Sequence, residues 1–270
     1  MPHAHDDHED DFGGLHKDLT LAGHFMRRRD VLRVMIGAGL GAGAMQLLGC
    51  GSGNSVTDPT GDNCTARIPE ETAGPYPGDG SNGPDVLTET GVVRRDIRSS
   101  FAGLSGTAEG IPLVVTLTLV SASSCEPLPG HAVYLWHCDR AGRYSLYSAG
   151  ATDQNYLRGV GEADADGKVT FETIFPACYQ GRWPHIHFEV YPSLAAATSA
   201  GNKVATSQLA LPRATCDLVY ATTGYEQSIS NLSQVSLATD NVFSDGAALE
   251  IPSMSGDVSS GLVASLNVAV

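Results

Sequence analysis

Residues 171–192 have the sequence F-E-T-I-F-P-A-C-Y-Q-G-R-W-P-H-I-H-F-E-V-Y-P. Apolar runs on both sides of a turn-forming centre predict a strand, a turn and a second strand, which carries His185 and His187. Because side chains two positions apart on a strand share a face, both imidazoles point to one side of a sheet. They form half of a metal site. Tyr179 and Arg182 lie in the turn that leads into this strand.

The rest of the chain predicts an all-β protein. Val-, Thr- and Leu-rich runs at regular spacing, with no long amphipathic helix, indicate an antiparallel β-sandwich with long loops. We expect Asp164–Gly167 (D-A-D-G) to form a hairpin turn and Thr215–Ser230 to be irregular. Further strands are predicted at Ile111–Val120, His131–His137, Lys168–Ile174, Lys203–Leu211 and Gly261–Val270.

The charge balance limits the possible partners. The chain has 270 residues and a formal net charge of −14 at pH 7. A strongly acidic protein is repelled by phosphate backbones and anionic membrane surfaces, so nucleic acid is not an expected partner.

The N-terminal segment resembles an export signal. Arg27–Arg33 (R-R-R-D-V-L-R) precede the apolar run Val34–Leu48, which is shorter than the roughly 20 residues of a membrane span. Paired arginines before such a run are typical of twin-arginine signals, with an N-terminal membrane anchor as the alternative. The run ends L-L-G-C, which resembles a bacterial lipoprotein signal and makes Cys50 a candidate lipid anchor.

Three segments follow from this pattern. We predict an export signal at residues 1–50, a Gly/Ser-rich flexible tether at 51–66 and a β-sandwich domain at 67–270. The expected location is the bacterial cell envelope, either periplasmic or as a membrane-anchored lipoprotein. Disulfides are common in exported proteins, and the cysteines favoured for them are Cys64, Cys125, Cys138 and Cys216.

Few nitrogen donors remain for a metal. After residue 50 the chain has only four histidines, too few for a copper/zinc superoxide dismutase, which also carries an H-x-H strand. We interpret His131 and His137 as structural. Oxygen donors must therefore complete the site, and Tyr179 and Tyr144 both lie in turns beside strands. A phenolate is a hard anionic ligand that suits Fe(III) better than Cu(I) or zinc. Tyr147 occupies the same turn as Tyr144 and is its main rival.

Several motifs occur together in one order. They are E-T-A-G-P-Y, A-V-Y-L-W-H-C-D-R-A-G-R-Y-S, D-A-D-G-K-V-T-F-E-T-I, F-P-A-C-Y and R-W-P-H-I-H-F, and the region they mark covers about residues 71–211. In sequence and order they resemble the intradiol ring-cleavage dioxygenases of the protocatechuate 3,4-dioxygenase and catechol 1,2-dioxygenase type.

The resemblance implies a non-haem Fe(III) held by Tyr144, Tyr179, His185 and His187. It implies cleavage of a catechol-type ring between its two hydroxyl-bearing carbons with O₂, which gives a muconate-type diacid. Tyr179 would leave the metal with a substrate proton, and Arg182 would lie over the ring and stabilise developing negative charge. The alternative function is a non-catalytic envelope sandwich that binds a catecholic or carbohydrate ligand.

Other positions are assigned with less support from the motifs. Gln208, in T-S-Q-L-A-L, falls where the family has a T-Q-L segment, and Tyr76 is expected at the pocket mouth; both are candidate substrate-binding residues. Cys178 beside Tyr179 departs from the family pattern and could restrict the movement of that tyrosine. The sequence does not predict the oligomeric state or which catechol is the substrate.

Overall fold

Two four-stranded sheets form the body of the protein. A computed structural model describes residues 66–270. The first sheet has the order β4-β1-β8-β7 and the second the order β3-β2-β5-β6. The strands are β1 Pro112–Val120, β2 Ala132–Trp136, β3 Arg158–Glu162, β4 Lys168–Ile174, β5 His185–Tyr191, β6 Ala205–Ala210, β7 Ser253–Asp257 and β8 Gly261–Ala269.

The predicted β-sandwich is confirmed, with two differences in the strands. β3 and β7 were not predicted, because R-G-V-G-E and S-M-S-G-D are short, contain glycine and lack a clear apolar alternation. β1 and β8 run parallel, whereas every other neighbouring pair of these strands is antiparallel. A parallel pair needs a long connection, and here 140 residues separate Val120 from Gly261.

The expectation of an irregular segment at Thr215–Ser230 was wrong. Helix α1 spans Arg213–Tyr220 and helix α2 spans Glu226–Leu232. Each helix has only two turns, too few for a clear amphipathic period, and α1 gains its stability by burying one face. Short 3₁₀ helices occur at Leu194–Ala196, Ala200–Asn202 and Phe243–Asp245.

The prediction of a hairpin at Asp164–Gly167 was also wrong. These residues do form a turn, in which Asp164 Oδ1 accepts hydrogen bonds from the backbone N–H groups of Asp166 and Lys168. The turn joins β3 in the second sheet to β4 in the first, so it does not connect paired strands. Turn chemistry alone does not determine which sheet the next strand joins.

Two apolar clusters lie on opposite faces of the second sheet. The inner core, between the sheets, includes Val133, Leu135, Ile186, Phe188 and Val190. The outer cluster, on the other face, includes Tyr134, Trp136, Tyr144, Val160 and Tyr191. All of these side chains are at least nine-tenths buried.

Only part of the predicted disulfide pattern is found. Cys125 is disulfide-bonded, whereas Cys138, Cys178 and Cys216 are free thiols in the buried interior. Bridges at Cys138 and Cys216 were therefore wrongly predicted. These thiols pack as small apolar side chains, and burial raises their pKa values above the ordinary range, which makes them unreactive.

Several predictions concern residues outside the described range. The export signal, the lipidated Cys50, most of the tether and Cys64 all precede residue 66. Within residues 66–270, no helix is both long and apolar enough to cross a membrane.

Candidate metal centre and substrate pocket

Strand β5 carries the two histidines on the outer face of the second sheet. His185 and His187 are both nearly inaccessible to solvent. Trp136 on β2 lies opposite His187 in the strand register, and its ring stacks on the imidazole with 4.9 Å between centroids and 6° between planes. On the other neighbouring strand, β6, Gln208 is the register partner of His187. The histidines therefore lie in the middle of a sheet, held by strands on both sides.

Two tyrosine hydroxyls meet these imidazoles at one point. The four atoms are Tyr144 Oη, Tyr179 Oη, His185 Nε2 and His187 Nε2, which we name the donor cluster. Five pairs of these atoms are 3.1 to 3.5 Å apart. Ligand atoms at about 2.0–2.2 Å from one ion lie about 2.8–3.6 Å from each other in adjacent positions, so this spacing matches a single metal ion.

The tyrosines arrive from two separate loops. Tyr144 follows β2, in a turn that Asp139 holds together by accepting hydrogen bonds from the backbone N–H groups of Ala141 and Arg143. Tyr179 lies in the loop between β4 and β5. Gly142, with φ +82°, lies so close to this loop that an added Cβ would be 3.2 Å from Tyr179 Cβ. The glycine allows the two loops to approach each other.

Hydrogen bonding sets the tautomer of one imidazole. Nδ1 of His185 lies 2.5 Å from the carbonyl oxygen of Trp183, so it carries the proton and leaves Nε2 with a lone pair toward the donor cluster. Nδ1 of His187 is buried and has no hydrogen-bond partner. Burial, together with the nearby Arg182 cation, lowers the pKa values of both histidines well below their ordinary range. Both are therefore neutral and suited to bind a cation.

Burial has the opposite effect on Tyr144. Its side chain is 1% exposed, and burial together with the nearby Tyr179 raises its pKa well above 10. Tyr179 is only partly buried. A cation between the two oxygens would favour the phenolate forms that burial opposes.

Among residues 66–270, no group of three or more His, Cys, Asp or Glu side chains could hold a metal, so a metal ion here requires the tyrosines.

Arg182 lies beside the donor cluster. Its Nη1 is 3.5 Å from His185 Nε2, and its Nη2 donates to Gln208 Oε1 at 2.8 Å. Gln208 in turn donates from Nε2 to the carbonyl oxygen of Thr72 at 2.8 Å. The guanidinium Nε donates to Asp240 at 3.0 Å. Burial alone would lower the pKa of Arg182, but Tyr179 and Asp240 raise it, so the side chain is a permanent cation.

The segment that contains Tyr76 covers His187. Gly74 has φ +69°, and an added Cβ would be 3.3 Å from His187 Cε1. The Tyr76 ring packs against Tyr144 with centroids 5.0 Å apart. The buried Arg158 fixes this segment by donating to the carbonyl oxygens of Tyr76 and Pro77.

Tyr147, the predicted rival of Tyr144, lies outside the donor cluster. Its hydroxyl accepts a hydrogen bond from Gly78 N at 2.9 Å and donates to Asn82 Oδ1 at 2.8 Å. His137 also lies elsewhere: its ring nitrogens are 2.8 Å from the carbonyl oxygen of Cys138 and 2.7 Å from Thr173 Oγ1. The other predicted site residues lie at the donor cluster or next to it. Arg182 lies beside the cluster, Gln208 contacts Arg182, and Tyr76 packs on Tyr144.

Sequence reasoning missed two residues of this region. Asp240 and Arg158 are charged side chains with 0% and 1% exposure, and each organises a loop at the site. Asp240 lies in L-A-T-D-N-V-F, where no motif or periodicity marks it. Arg158 lies at the start of a strand that was itself not predicted.

Comparisons with known proteins show what this chain is similar to. A family model described as Dioxygenase matches residues 82–197. An intradiol ring-cleavage dioxygenase from Tetranychus urticae is similar in structure, with a TM-score of 0.60 and 28% sequence identity over 76% of this chain and 94% of that one. The chain is related to the intradiol ring-cleavage dioxygenases. The resemblance drawn from the motifs is confirmed.

Two further solved dioxygenase structures are less similar to this chain. The dioxygenase domain of a carbohydrate-binding fusion protein from Streptomyces sp. SirexAA-E has a TM-score of 0.48 and 21% identity, covering 76% of this chain and 98% of that one. Catechol 1,2-dioxygenase from Pseudomonas arvilla has a TM-score of 0.45 and 18% identity, covering 75% of this chain and 61% of that one. No curated protein sequence matches this chain.

Proposed function

We propose that this protein is a non-haem iron dioxygenase that opens a catechol-type ring between its two hydroxyl-bearing carbons. Both atoms of O₂ enter the product, a muconate-type diacid. The observation that carries the proposal is the donor cluster, in which two phenol oxygens and two neutral imidazole nitrogens converge at the spacing of ligands to one ion.

Tyr144, Tyr179, His185 and His187 would hold the iron. Phenolates are hard anionic donors and favour Fe(III), which when bound supplies Lewis acidity that draws electron density from a chelated catechol. The neutral imidazoles add no charge, so two phenolates leave one positive charge on a trivalent ion. Such a site has an electrostatic preference for the deprotonated catechol.

The two tyrosines have different environments, and this supports different roles. Tyr144 is 1% exposed and packed under the Tyr76 ring, so it is suited to remain a fixed ligand. Tyr179 is partly exposed and lies on a loop. Its Oη is suited to leave the cluster and accept one catechol proton as the substrate binds. The free Cys178 thiol forms no bridge that would restrict this movement.

Arg182 would act on the substrate. Its Nη1 faces the donor cluster, where a guanidinium stabilises the negative charge that develops on the ring oxygen as the ring carbon attacks O₂. Gln208 and Tyr76 would contribute to the pocket wall: Gln208 holds Arg182, and the Tyr76 segment closes over His187.

Purification with iron and an oxygen-uptake assay test the proposal. We expect a red protein from tyrosinate-to-iron charge transfer, and O₂ consumption with at least one of catechol, protocatechuate, hydroxyquinol or a chlorocatechol. A colourless protein that binds no iron would overturn the proposal. Catechol binding without O₂ consumption would support the non-catalytic alternative.

The substitution Tyr179→Phe tests the ligand assignment. We expect partial loss of the charge-transfer band and a fall in turnover of at least about 100-fold. Replacing a residue that only supports a metal ligand already lowers metal affinity or activity by about 10–100-fold. Tyr147→Phe is the matched control, because it removes a hydroxyl from the same region but outside the donor cluster. Equal spectra and rates for Tyr179→Phe and the control would refute the assignment.

We also propose that the chain is exported to the cell envelope. The support is the pattern of residues 1–50 and the disulfide at Cys125, since disulfides persist in oxidising compartments. Fractionation of cells that express the full chain tests this. We expect the protein in the envelope fraction. If it is bound to the membrane there, we expect the Cys50→Ala variant, which lacks the lipid attachment site, to be no longer membrane-bound. A cytoplasmic protein of unprocessed length would contradict the proposal.

A further inference from the structure

The guanidinium of Arg182 points its three nitrogens in different directions. Nε donates to Asp240 Oδ2 at 3.0 Å, and Nη2 donates to Gln208 Oε1 at 2.8 Å. Nη1 faces the donor cluster, 3.5 Å from His185 Nε2. Two anchors therefore determine where the third nitrogen points. Arg182 is 3% exposed, so water does not replace either anchor.

Asp240 is the stronger of the two anchors. It carries a full negative charge opposite the guanidinium in an ion pair that solvent does not reach, whereas Gln208 offers a neutral amide oxygen. The same Asp240 Oδ2 also accepts a hydrogen bond from the backbone N–H of Trp183 at 2.6 Å. One carboxylate oxygen thus fixes both the arginine side chain and the backbone that leads into His185.

The carboxylate is itself held rigidly. Asp240 Oδ1 accepts hydrogen bonds from the backbone N–H groups of Val242 and Phe243 at 2.9 and 3.1 Å. With both oxygens occupied and 0% exposure, the side chain has one orientation. The Phe243 ring packs below the guanidinium, 5.9 Å from its Cζ. Asp240 therefore connects the segment after α2 to the loop that carries the predicted ligand Tyr179.

We propose that Asp240 is a positioning residue, which holds Arg182 with Nη1 directed at the bound catechol and thereby sets both substrate affinity and the rate of ring opening. This inference rests on the proposed function. It assigns no contact between Asp240 and the substrate or metal, so the residue acts only through Arg182.

The test compares Asp240→Asn with a matched control in iron-loaded protein. Asn keeps the size of the side chain but can no longer accept at both oxygens, so the guanidinium loses its charged anchor. The control is Glu189→Gln, which removes another fully buried carboxylate, paired with Lys203 and Tyr191 and without a contact to Arg182. For each variant we measure iron content, the charge-transfer band, anaerobic catechol affinity, KM and kcat.

We expect Asp240→Asn to keep its iron and its charge-transfer band, to bind catechol about 5–10-fold more weakly and to turn over about 10–100-fold more slowly, as outer-shell partners of a site do. Glu189→Gln should keep the catechol affinity and the turnover rate within about twofold of the wild-type values. Equal behaviour of the two variants would overturn the proposal and leave the ion pair a structural feature.

Two further variants separate positioning from charge and stability. If Asp240 acts through Arg182, then Asp240→Asn in an Arg182→Gln background has no additional effect on kcat/KM, whereas independent effects would multiply. Asp240→Glu keeps the charge and avoids an unpaired buried cation, so it remains available if Asp240→Asn does not fold. We expect its turnover still to be reduced, because the carboxylate is displaced by one methylene; full activity would refute a positioning role.

The outcomes for the two proposals differ. If wild-type protein turns over catechol but Asp240→Asn equals the control, only the positioning role fails. If wild-type protein binds catechol without consuming O₂, the dioxygenase proposal fails. The positioning role is then still supported if Asp240→Asn binds catechol more weakly and Glu189→Gln does not. If the wild-type protein neither binds nor consumes catechol, both fail.

Discussion

The outer faces of the two sheets differ in what covers them. On the first sheet, β1 alternates buried and half-exposed residues, with Thr116 among the half-exposed ones. On the second sheet, β2, β5 and β6 are buried on both faces along their whole lengths. The outer cluster and the loops that carry Tyr144, Tyr179 and Tyr76 cover that face. Polar groups on it are therefore removed from water.

This difference accounts for the position of the donor cluster. A half-exposed sheet face leaves its polar groups hydrated, and a metal there would compete with water for its ligands. A covered face keeps imidazoles neutral and makes each electrostatic contact stronger. Both sheets form the sandwich core, and the covered outer face of the second sheet also carries the donor cluster.

The largest effect is expected from Trp136→Ala. Trp136 is 0% exposed on the covered face and stacks on His187. Removing a buried aromatic ring should lower the free energy of unfolding by about 3–5 kcal/mol, as it would in the inner core. Urea unfolding of metal-free protein measures this. A loss below about 1 kcal/mol would mean that the covering loops are loosely packed and that the two outer faces differ less than the structure indicates.

The second-largest effect is expected in the pH dependence of the unfolding free energy, through His137, which connects the two sheets. It lies at the end of β2 and contacts Thr173 on β4, and burial lowers its pKa to about 4. Between pH 6.5 and 4 the unfolded chain binds more protons at this residue than the folded one. Stability therefore falls as the pH falls through this range, by about 2–3 kcal/mol from His137.

His137→Asn checks this contribution. The variant should be less stable than wild type at pH 7, because it loses the buried hydrogen bonds, but it should lose less further stability between pH 6.5 and 4. Urea unfolding at both pH values, on metal-free protein, gives the difference between the two chains. Identical pH dependence in both would contradict a neutral His137 in the folded state.

The smallest effect is expected from Thr116→Ala on the half-exposed face of the first sheet. Its hydroxyl lies 3.2 Å from that of Thr170 on β4, a cross-strand pair worth about 0.2–1 kcal/mol. We expect a change in unfolding free energy within that range and no change in iron content or turnover. A larger loss, close to that of Trp136→Ala, would show that this face is as tightly covered as the other.

The sequence predicted the strands that have a clear apolar pattern, and it failed where that pattern is weak. β1, β4 and β8 were found because their alternation extends over seven to nine residues. Four short elements were missed, namely β3, β7, α1 and α2. In so few residues, a true hydrophobic period cannot be distinguished from a chance arrangement of apolar residues. The motifs predicted the residues that meet in the donor cluster, whereas no motif marks Asp240.

The local sequence is enough to place His185 and His187 on one face of a strand, because the period of two is a local property of the backbone. It also determined the chemical types of the other donors, through motifs that surround Tyr144 and Tyr179. Long-range packing brings Tyr144 rather than Tyr147 into the donor cluster and pairs Asp240 with Arg182. Those choices depend on how loops far apart in the chain pack against one sheet, and no local pattern specifies that packing.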